Sequence, residues 1–292
     1  MSEGSSGLRW GVERRLRFIE FRLYWEGGIN RGDIIGFFGV SVPQASKDLN
    51  QYQELAPGNM AYDKSEKRYF AADTFQPRFL TPEPDQYLSQ LRQIAEKDKT
   101  VDETWLSNLP NVDCLPIPHR RIDPEVLRTI LSAVRNRGAI EIHYQSMNPN
   151  RPDPVWREIS PHALASDGFR WHVRAYCHID RKFKDFLLSR CLDCRKAGEA
   201  KAAARDDQMW HTIFIVKLMP NPALSKSQQA IIASDYAMDN LVIDIPIRKS
   251  FLYYFKKRLR LDIADKGDCP EEAPVVIANR YEFEKTLQEA YL

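Results

Sequence analysis

Residues 29–55 constrain this sequence most, because their turn signals and helix caps divide the segment into two short helices. Asn30 is suited to cap the first helix, and Gly39 is suited to the left-handed conformation in which helices often end. The second helix begins at residues 41–44, where Ser and Gln lie three positions apart as in a capping box and Pro occupies the first turn. The segment therefore predicts a helix-turn-helix.

Patterns on both sides extend this motif to a winged form. Apolar residues recur at helical spacing through residues 9–25, which predicts a preceding helix. After the helix break at Pro57-Gly58, the runs 60–62 and 68–71 bracket a basic tip, which predicts a short hairpin, the wing. The apolar stripe of the preceding helix consists of Val12, Leu16, Ile19 and Leu23.

The outer face of the third helix and the wing carry the predicted contacts to double-stranded DNA. A helix fits the major groove, where each base pair shows a distinct pattern of donors and acceptors. Side-chain amides are suited to adenine edges, whereas hydroxyl and basic groups are suited to phosphates, which fix the register without reading sequence. Asp48 and Glu54 are expected to point away from the groove. The predicted DNA-binding set is Ser41, Pro43, Gln44, Ser46, Lys47, Asn50, Gln51, Lys64, Lys67 and Arg68.

Charge leaves a second interpretation of this region open. The net charge of the chain is only +2, and residues 1–75 hold ten Lys and Arg against ten Asp and Glu. Residues 120–200 hold fifteen against ten, a local surplus that favours an anionic ligand. Three short helices and a hairpin with a neutral balance are also compatible with a protein-interaction domain.

The chain of 292 residues exceeds what one hydrophobic core usually organises, so an α+β multidomain fold is expected. Residues 1–75 are predicted to form the winged helix-turn-helix and residues 76–122 a helical connector. A mostly β domain is predicted over residues 123–205 and a small α/β domain over residues 206–292. No internal repeat is visible.

Composition argues against a membrane protein. Hydrophobic residues make up 43% and charged residues 28% of the chain, and no apolar run has the length of a bilayer span. Residues 1–7 lack the basic and apolar regions of a secretory signal. We therefore expect a cytoplasmic location, reduced cysteines and no membrane partner.

A polar face is predicted on one strand of the β domain. Strand alternation places His172, Arg174 and Tyr176 on one face and Trp171, Val173 and Ala175 on the other, which looks like core. Arg190 on a later strand would complete a cationic patch that can grip phosphate or carboxylate. Alternatively, Arg174 and Arg190 pair with carboxylates such as Asp185 or Asp193, and Tyr144 and His162 are satisfied core groups.

Four blocks of this domain resemble a WYL domain in identity and order. They are residues 140–144 (Ile-Glu-Ile-His-Tyr), 159–164 (Ile-Ser-Pro-His-Ala-Leu), 169–176 (Phe-Arg-Trp-His-Val-Arg-Ala-Tyr) and 186–190 (Phe-Leu-Leu-Ser-Arg). With the winged helix before them and the α/β segment after them, the chain from about residue 9 onward resembles the BrxR/CapW group of WYL-type regulators.

The resemblance implies a homodimeric transcription factor, usually a repressor, encoded with bacterial anti-phage defence systems. It also implies a central Sm-like or SH3-like β-barrel that senses a nucleotide or oligonucleotide effector, and a C-terminal WCX-like dimerisation domain. An activator of a stress response is the alternative within the family. The naming triplet stands here as Trp171-His172-Val173, so the role of its tyrosine falls to a histidine. The predicted ligand-binding set is Tyr144, Ser146, His162, His172, Arg174, Tyr176 and Arg190.

Dimer symmetry predicts an operator with an inverted repeat. Dimerisation is assigned to the C-terminal domain, although most apolar residues of that domain are expected to pack its own core. This apolar set comprises Ile213, Ile215, Leu241, Ile243, Phe251, Tyr253, Tyr254 and Phe255.

Enzymatic function is the weaker hypothesis. No phosphate-binding loop, dinucleotide fingerprint, zincin motif or hydrolase elbow occurs, and the Arg- and His-rich pocket would repel the Mg²⁺ of a nuclease. Cys191 and Cys194 have zinc-ligand spacing, which Cys177-His178 would complete, but incidental buried thiols explain this pair equally well. We expect no catalytic residue, no metal and no cofactor, with a nucleic-acid-processing enzyme as the alternative.

Overall fold

The computed structural model describes residues 10–264 and 270–291. The chain forms two compact units, Met1–Ile117 and Pro118–Leu292. Within the described ranges, no helix is both long enough and apolar enough to cross a membrane.

The first unit contains the predicted three helices and hairpin. Reciprocal hydrogen bonds between Asn30 and Asp33 cap the second helix, and Gly39 ends it at a φ of 64°. The elements are α1 (Trp10–Glu26), β1 (Gly28–Ile29), α2 (Arg31–Phe38), α3 (Val42–Leu55), β2 (Met60–Asp63), β3 (Arg68–Ala71) and α4 (Pro84–Ala95), followed by a 3₁₀ turn at Val101–Glu103.

The core of this unit lies between α1, α2 and α3. Leu16, Ile19 and Leu23 of α1 are buried together with Ile34 and Leu49, as the helical spacing predicts. The three strands form an antiparallel sheet in the order β1-β3-β2, so the hairpin is joined to the residues that precede α2. Backbone pairing thus fixes the wing to the helical core.

Two buried carboxylates of α1 hold the connector. Glu20 is fully buried and accepts hydrogen bonds from the backbone N–H groups of Phe79 and Leu80, both at 2.6 Å. One turn and a half later, Glu26 accepts from the backbone N–H of Ser107 at 2.7 Å. Hydrogen bonds to a carboxylate are among the stronger ones in proteins, so this segment packs as part of the unit.

The second unit begins with one helix and a five-stranded antiparallel sheet. Asp123 caps the helix by accepting from the N–H groups of Glu125 and Val126. The helix packs on the sheet through apolar residues that include Val126 and Ile130, with Ile140 among those of the sheet. These elements are α5 (Pro124–Asn136), β4 (Gly138–Tyr144), β5 (Val155–Ser166), β6 (Trp171–Cys177), β7 (Lys182–Leu187) and β8 (Cys191–Glu199).

The strand order is β7-β6-β5-β4-β8, so β7 and β8 are the two edges. A 3₁₀ turn at Leu188–Arg190 separates these strands, and no pairing within the described residues joins them. The predicted closed barrel is therefore not confirmed, because β8 pairs with β4 and leaves the sheet open between its edges. Arg190 lies in this turn, so its prediction as a strand residue is wrong.

A second, three-stranded sheet follows, in the order β10-β9-β11. Its core includes Val216, Leu218, Leu252 and Phe283, all buried between the sheet and the helices. The elements are α6 (Gln208–His211), β9 (Ile213–Pro220), α7 (Lys226–Asp235), β10 (Ile243–Arg248), α8 (Leu252–Arg258), α9 (Leu261–Ala264), β11 (Val275–Ile277) and α10 (Arg280–Tyr291), with 3₁₀ turns at Ala204–Asp206 and Lys249–Phe251.

Candidate nucleic-acid and ligand interfaces

The start of α3 has one half of the predicted capping box, because the Gln44 side chain bonds to Asp48 and not to the Ser41 backbone. Ser41 lies before the first turn and its hydroxyl accepts from the backbone N–H of Gln44 at 3.4 Å, while Pro43 occupies the second helical position. The buried face of α3 includes Ala45, Leu49 and Tyr52. Lys47 and Asn50 are exposed, and Gln44, Ser46 and Gln51 are half-buried at the helix surface.

Gln44, one of the residues predicted to contact DNA bases, is hydrogen-bonded to the Arg15–Asp48 ion pair. The Gln44 amide donates to Asp48 at 2.9 Å, and Arg15 of α1 donates to the same carboxylate at 2.6 Å. Asp48 is fully buried, so it points away from the helix surface, whereas Glu54 is exposed. Because an amide nitrogen carries two hydrogens, Gln44 keeps one donor and its acceptor for a base edge.

The hairpin tip exposes Lys64 and Lys67, and Asp63 shapes the tip by accepting from the backbone N–H groups of Ser65 and Glu66. Arg68 is half-buried and donates to the carbonyl of Gly28 at 2.7 Å. Its guanidinium therefore supports the joint between the hairpin and β1. Lys64 and Lys67 are exposed basic groups of the wing, next to the exposed carboxylate of Glu66.

Sequence reasoning missed one basic residue beside this surface. Arg31 of α2 is exposed and donates to the Ser46 hydroxyl at 3.3 Å, which places a guanidinium next to α3. Its position directly after the Asn30 cap, in the first turn of α2, was the available signal.

In the second unit, Arg174 and His162 converge on one carboxylate. Arg174 donates to Asp207 at 2.7 and 3.0 Å, and His162 lies 2.9 Å from the same group. Burial opposes the ionisation of Asp207, but hydrogen bonds from His162 and Arg174 outweigh it and lower the pKa of this carboxyl to about 2. Asp185 lies 3.3 Å from Arg174 on the other side. The alternative in which Arg174 pairs with carboxylates is thus observed.

His172 belongs to a neighbouring buried group. Its ring nitrogen is 3.3 Å from Asp167, and its ring centroid is 5.0 Å from that of Tyr254 in α8. Burial lowers the pKa of His172. The hydrogen bond to Asp167 favours the charged form, but burial outweighs it. The position that replaces the tyrosine of the naming triplet therefore favours a neutral imidazole that packs on the C-terminal helices.

Of the remaining predicted ligand residues, Tyr144, Ser146 and Arg190 lie elsewhere, whereas Tyr176 is linked to His162 through Phe183, which packs on both rings. Tyr144 is buried, and its hydroxyl accepts from the backbone N–H of Leu187 at 3.2 Å. Ser146 accepts from the backbone N–H of Asn148 in the loop after β4. Tyr176 packs on Phe183 at 5.3 Å between ring centroids. Among the described contacts, none joins Tyr144, Ser146 or Arg190 to the Asp207 cluster.

A cationic pocket of about 320 Å³ adjoins Arg174, between β7 and the C-terminal helices. Lys182 and Lys184 alternate along β7, and Lys249 approaches from the turn before α8. Lys184 pairs with Asp180 at 2.8 Å, and Lys249 lies 3.8 Å from Glu289. Lys182, Lys184 and Lys249 are not among the predicted ligand residues, although Lys182 and Lys184 flank Phe183 and so share one face of β7. The lining also includes Asp185, Met209, Ser250, Tyr253, Tyr254 and Leu287.

Among the described residues, no group of three potential metal ligands includes the cysteines of β8. Burial raises the pKa of the Cys191 thiol to about 12, whereas zinc binds the thiolate. Cys194 is half-buried and its pKa is also raised by burial. Cys269 lies outside the described residues.

Family models match three parts of the chain. A BrxR transcriptional regulator winged helix-turn-helix domain matches residues 11–93, a WYL domain matches residues 125–195, and a BrxR transcriptional regulator C-terminal dimerization domain matches residues 213–283. The predicted winged helix and central WYL domain are thereby confirmed.

Curated relatives extend these matches to nearly the full length. Each is a DNA-binding transcriptional repressor CapW. The protein from Escherichia coli is 38% identical over 287 residues, 98% of this chain and 95% of the relative. That from Pseudomonas aeruginosa is 37% identical over 287 residues, 98% and 95% of the two chains. That from Stenotrophomonas maltophilia is 37% identical over 289 residues, 99% and 96% of the two chains.

Among solved structures, the chain matches proteasome accessory factor B/C of Arthrobacter aurescens with 16% identity and a TM-score of 0.26, covering 99% of this chain and 51% of that one. A likeness at this level bears on neither fold nor function.

Proposed function

Because this chain belongs to the family of BrxR- and CapW-type WYL transcriptional regulators, we propose that it is a homodimeric, sequence-specific DNA-binding repressor. The observation that carries the proposal is the identity of 38% over 98% of the chain to a DNA-binding repressor. Its expected target is double-stranded DNA with an inverted repeat, read by two copies of α3. We propose that it controls the genes of an anti-phage defence operon and that it acts in the cytoplasm.

Within the first unit, we assign base reading to Gln44, Asn50 and Gln51. The exposed side chains of Lys47, Lys64 and Lys67 suit phosphates, and Arg31 joins them from α2. Ser41 and Pro43 set the start of α3, Ser46 contacts Arg31, and Arg68 braces the wing. In this division, a few side chains recognise DNA bases and give specificity. The phosphate contacts add affinity that depends on salt concentration.

We also propose the domain boundaries and the fold of the central domain. We retain the boundaries 1–75, 76–122, 123–205 and 206–292. An Sm-like arrangement of the central domain is supported by the helix α5 that precedes five antiparallel strands and by the sheet order that pairs the last strand with the first.

The effector proposal is an anionic ligand, a nucleotide or an oligonucleotide, bound at the cationic pocket beside Arg174. Arginine suits phosphate because its planar donors bind two oxygens at once. Asp207 occupies two of these donors in the present structure. Binding of a phosphate to Arg174 would therefore compete with Asp207, whose side chain also caps α6 at the start of the C-terminal domain. That competition supplies a physical route from ligand to domain arrangement.

The DNA-binding proposal is tested by footprinting the purified protein on the region upstream of its own gene. Protection of an inverted repeat is expected, and a transcription assay on the same template separates a repressor from an activator. Absence of protection on every upstream fragment would remove the proposal. Labelled DNA incubated with Mg²⁺ addresses the enzymatic alternative, since a repressor shifts DNA whereas a nuclease shortens it.

The effector proposal has a separate test. Short oligonucleotides and cyclic nucleotides are titrated into the protein–DNA complex, and release of DNA is expected with at least one of them. Arg174→Ala and the milder Lys249→Ala should respond at higher concentrations, whereas Arg195→Ala, an exposed arginine on β8, should respond as the wild type. Identical titrations for all variants would contradict the assignment of the pocket.

A further inference from the structure

A buried ion pair joins α1 to α3. Asp48 is fully buried, and Arg15 of α1 donates to its two oxygens at 2.6 and 3.1 Å. The arginine side chain is itself only 13% exposed. A two-point contact between an arginine and a carboxylate adds geometric specificity to the attraction between the charges. The ion pair therefore holds the Asp48 carboxylate in one place relative to both helices.

The same carboxylate holds the side chain of Gln44, one turn earlier on α3. Nε2 of Gln44 donates to Oδ1 of Asp48 at 2.9 Å. Because a carboxylate only accepts hydrogen bonds, the amide must turn its NH₂ group, and not its oxygen, toward Asp48. The second hydrogen of this group and the acceptor Oε1 remain for another partner. The ion pair thus selects one of the two orientations of the amide.

The place of Gln44 on α3 suits a contact to a DNA base. Gln44 is the third residue of the helix and lies half-buried at the helix surface. In helix-turn-helix proteins, the N-terminal residues of the recognition helix contact the base edges. A side chain whose amide is already oriented loses less rotamer freedom when it binds. The hydrogen bond to Asp48 therefore prepares Gln44 for this contact.

The fixed amide distinguishes adenine from guanine. In the major groove, adenine offers the N7 acceptor and the N6 donor, which match one amide hydrogen and Oε1. Guanine offers two acceptors, N7 and O6, so Oε1 would face O6 without a hydrogen between them. A rotation of the amide by half a turn would remove this conflict. It would also turn Oε1 toward Asp48 and take a hydrogen bond from a buried carboxylate, which is unfavourable.

We propose that Arg15 and Asp48 are positioning residues that restrict Gln44 to adenine. The inference rests on the proposed function, in which α3 reads the operator, and it deepens that function by assigning one base of each half-site. Asp48 acts through the orientation of the Gln44 amide, and Arg15 acts through the position of Asp48. Exchange of this adenine for guanine weakens binding by roughly 10-fold.

The experiment selects binding sites for the full chain from a pool of randomised DNA duplexes and measures the base preference at each position. The wild type should prefer adenine over guanine by roughly 10-fold at one position of each half-site. Gln44→Ala should lose this preference, which identifies the position. Asp48→Asn should reduce it to below about 3-fold, because the asparagine amide can donate to Oε1 and permit the rotated form. Preferences at the other positions should stay as in the wild type.

Glu54→Gln is the matched control, because it removes one carboxylate from an exposed position of the same helix. Its base preferences should equal those of the wild type at every position. If Asp48 only braced the fold, Asp48→Asn would lower the affinity for all sequences by the same factor and leave the preferences unchanged. That result overturns the inference, as do equal changes of preference in Asp48→Asn and Glu54→Gln.

A second variant decides the matter if Asp48→Asn fails to fold with Arg15 unpaired. Arg15→Met/Asp48→Leu replaces the ion pair with apolar side chains of similar size, an exchange that proteins often tolerate. It also removes the acceptor of the Gln44 amide, so the adenine preference should fall at the same position. A preference that this variant retains overturns the inference.

Two further outcomes separate the inference from the proposed function. If Gln44→Ala keeps every preference of the wild type, Gln44 does not read a base, and the inference is overturned while a sequence-specific repressor remains. If the wild type selects no sequence from the pool, the proposed function itself is contradicted.

Discussion

Asp207 of the C-terminal domain accepts two hydrogen bonds from Arg174 of the central sheet, at 2.7 and 3.0 Å, in surroundings where both side chains are buried. The two residues are 33 positions apart: Arg174 lies in β6, and Asp207 directly precedes α6. Arg174, which is suited to bind an anionic ligand, is thus paired with the carboxylate of Asp207. The Arg174–Asp207 pair thereby links the central sheet to the first turn of the C-terminal domain.

We predict that Asp207→Asn lowers the free energy of unfolding by about 3 kcal/mol, because removal of one partner leaves Arg174 buried with fewer compensating acceptors. Asp185 retains part of the charge balance and keeps the loss near the lower end of the range for broken buried pairs. Denaturant unfolding followed by fluorescence measures the change. Asp206→Asn, at the exposed neighbouring position, should leave stability as it is, and equal losses in the two variants would contradict the role of the pair.

The second prediction concerns pH. Burial depresses the pKa of His172 in the folded protein below that of the unfolded chain, where it is near 6.5. The unfolded state therefore binds more protons as the pH falls through this range, and the folded state loses stability. Between pH 7.5 and 5.5 the wild type should lose a stability increment that His172→Gln does not lose.

The urea midpoint of unfolding at the two pH values measures this difference. Asp167 faces the His172 ring as a hydrogen-bond partner and Asp185 acts on it through its charge. Burial raises the pKa of Asp185, so the increment is taken as the difference between the wild type and His172→Gln, which both retain Asp185. His211→Gln is the control, because His211 is exposed and this variant retains His172, so it should still lose the increment that His172→Gln does not lose. A wild-type midpoint that is constant or rises on acidification would exclude the proposed linkage.

What the sequence could predict is what short-range chemistry determines. Asn30, Gly39 and Ser41 act on backbone atoms within a few residues, so capping rules placed α2 and α3 before any tertiary contact was known. Strand alternation likewise placed Val173 and Arg174 on opposite faces of β6, although both side chains are buried. The prediction of Trp171 as a core residue is wrong, since this side chain lies at the end of β6 and is exposed.

One partner of the polar face, Asp185, was among the predicted carboxylates and lies 3.3 Å from Arg174, but Asp207 and Tyr254 could not be predicted in this way. Asp207 reaches Arg174 only because the chain returns past the central sheet after β8, and no periodic pattern links the two positions. The same holds for Tyr254, which covers His172 from α8. For Arg190 the local pattern was misleading. Its alternation with apolar neighbours predicted a strand, but the residue lies in a 3₁₀ turn.

The third prediction separates phosphate contacts from base contacts. Lys47→Ala should weaken binding to operator and unrelated DNA alike and reduce the slope of log affinity against log salt by about 1, since one phosphate contact is lost. Asn50→Ala should lower affinity for the operator by about 1–3 kcal/mol and leave non-specific binding nearly unchanged. Fluorescence anisotropy at several salt concentrations measures both quantities.

Lys99→Ala provides the control for that experiment, because Lys99 is exposed in the first unit but lies outside α3 and the hairpin. Its salt slope should equal that of the wild type. If Lys47→Ala and Lys99→Ala behave alike, α3 does not lie along the DNA backbone as proposed.

The final prediction tests the loop between β5 and β6, which contacts α8. Gly168 adopts a φ of 89°, and a methyl group at this position would overlap with the guanidinium of Arg258. Arg258 in turn donates to the carbonyl of Asp167 at 3.1 Å. Gly168→Ala should therefore cost about 1–3 kcal/mol of stability, part from the backbone conformation and part from displacement of the arginine.

A double-mutant cycle with Arg258→Ala divides these two parts. The arginine variant removes the overlap but not the backbone strain, so Gly168→Ala should cost less in that background, by the share due to the side-chain clash. Gly36→Ala is the control of opposite sign, because Gly36 is an exposed residue of α2 with open space around it and alanine favours helix by about 0.5–1 kcal/mol. Equal costs of Gly168→Ala in both backgrounds would show that Arg258 yields freely and that the β5–β6 loop does not depend on its contact with α8.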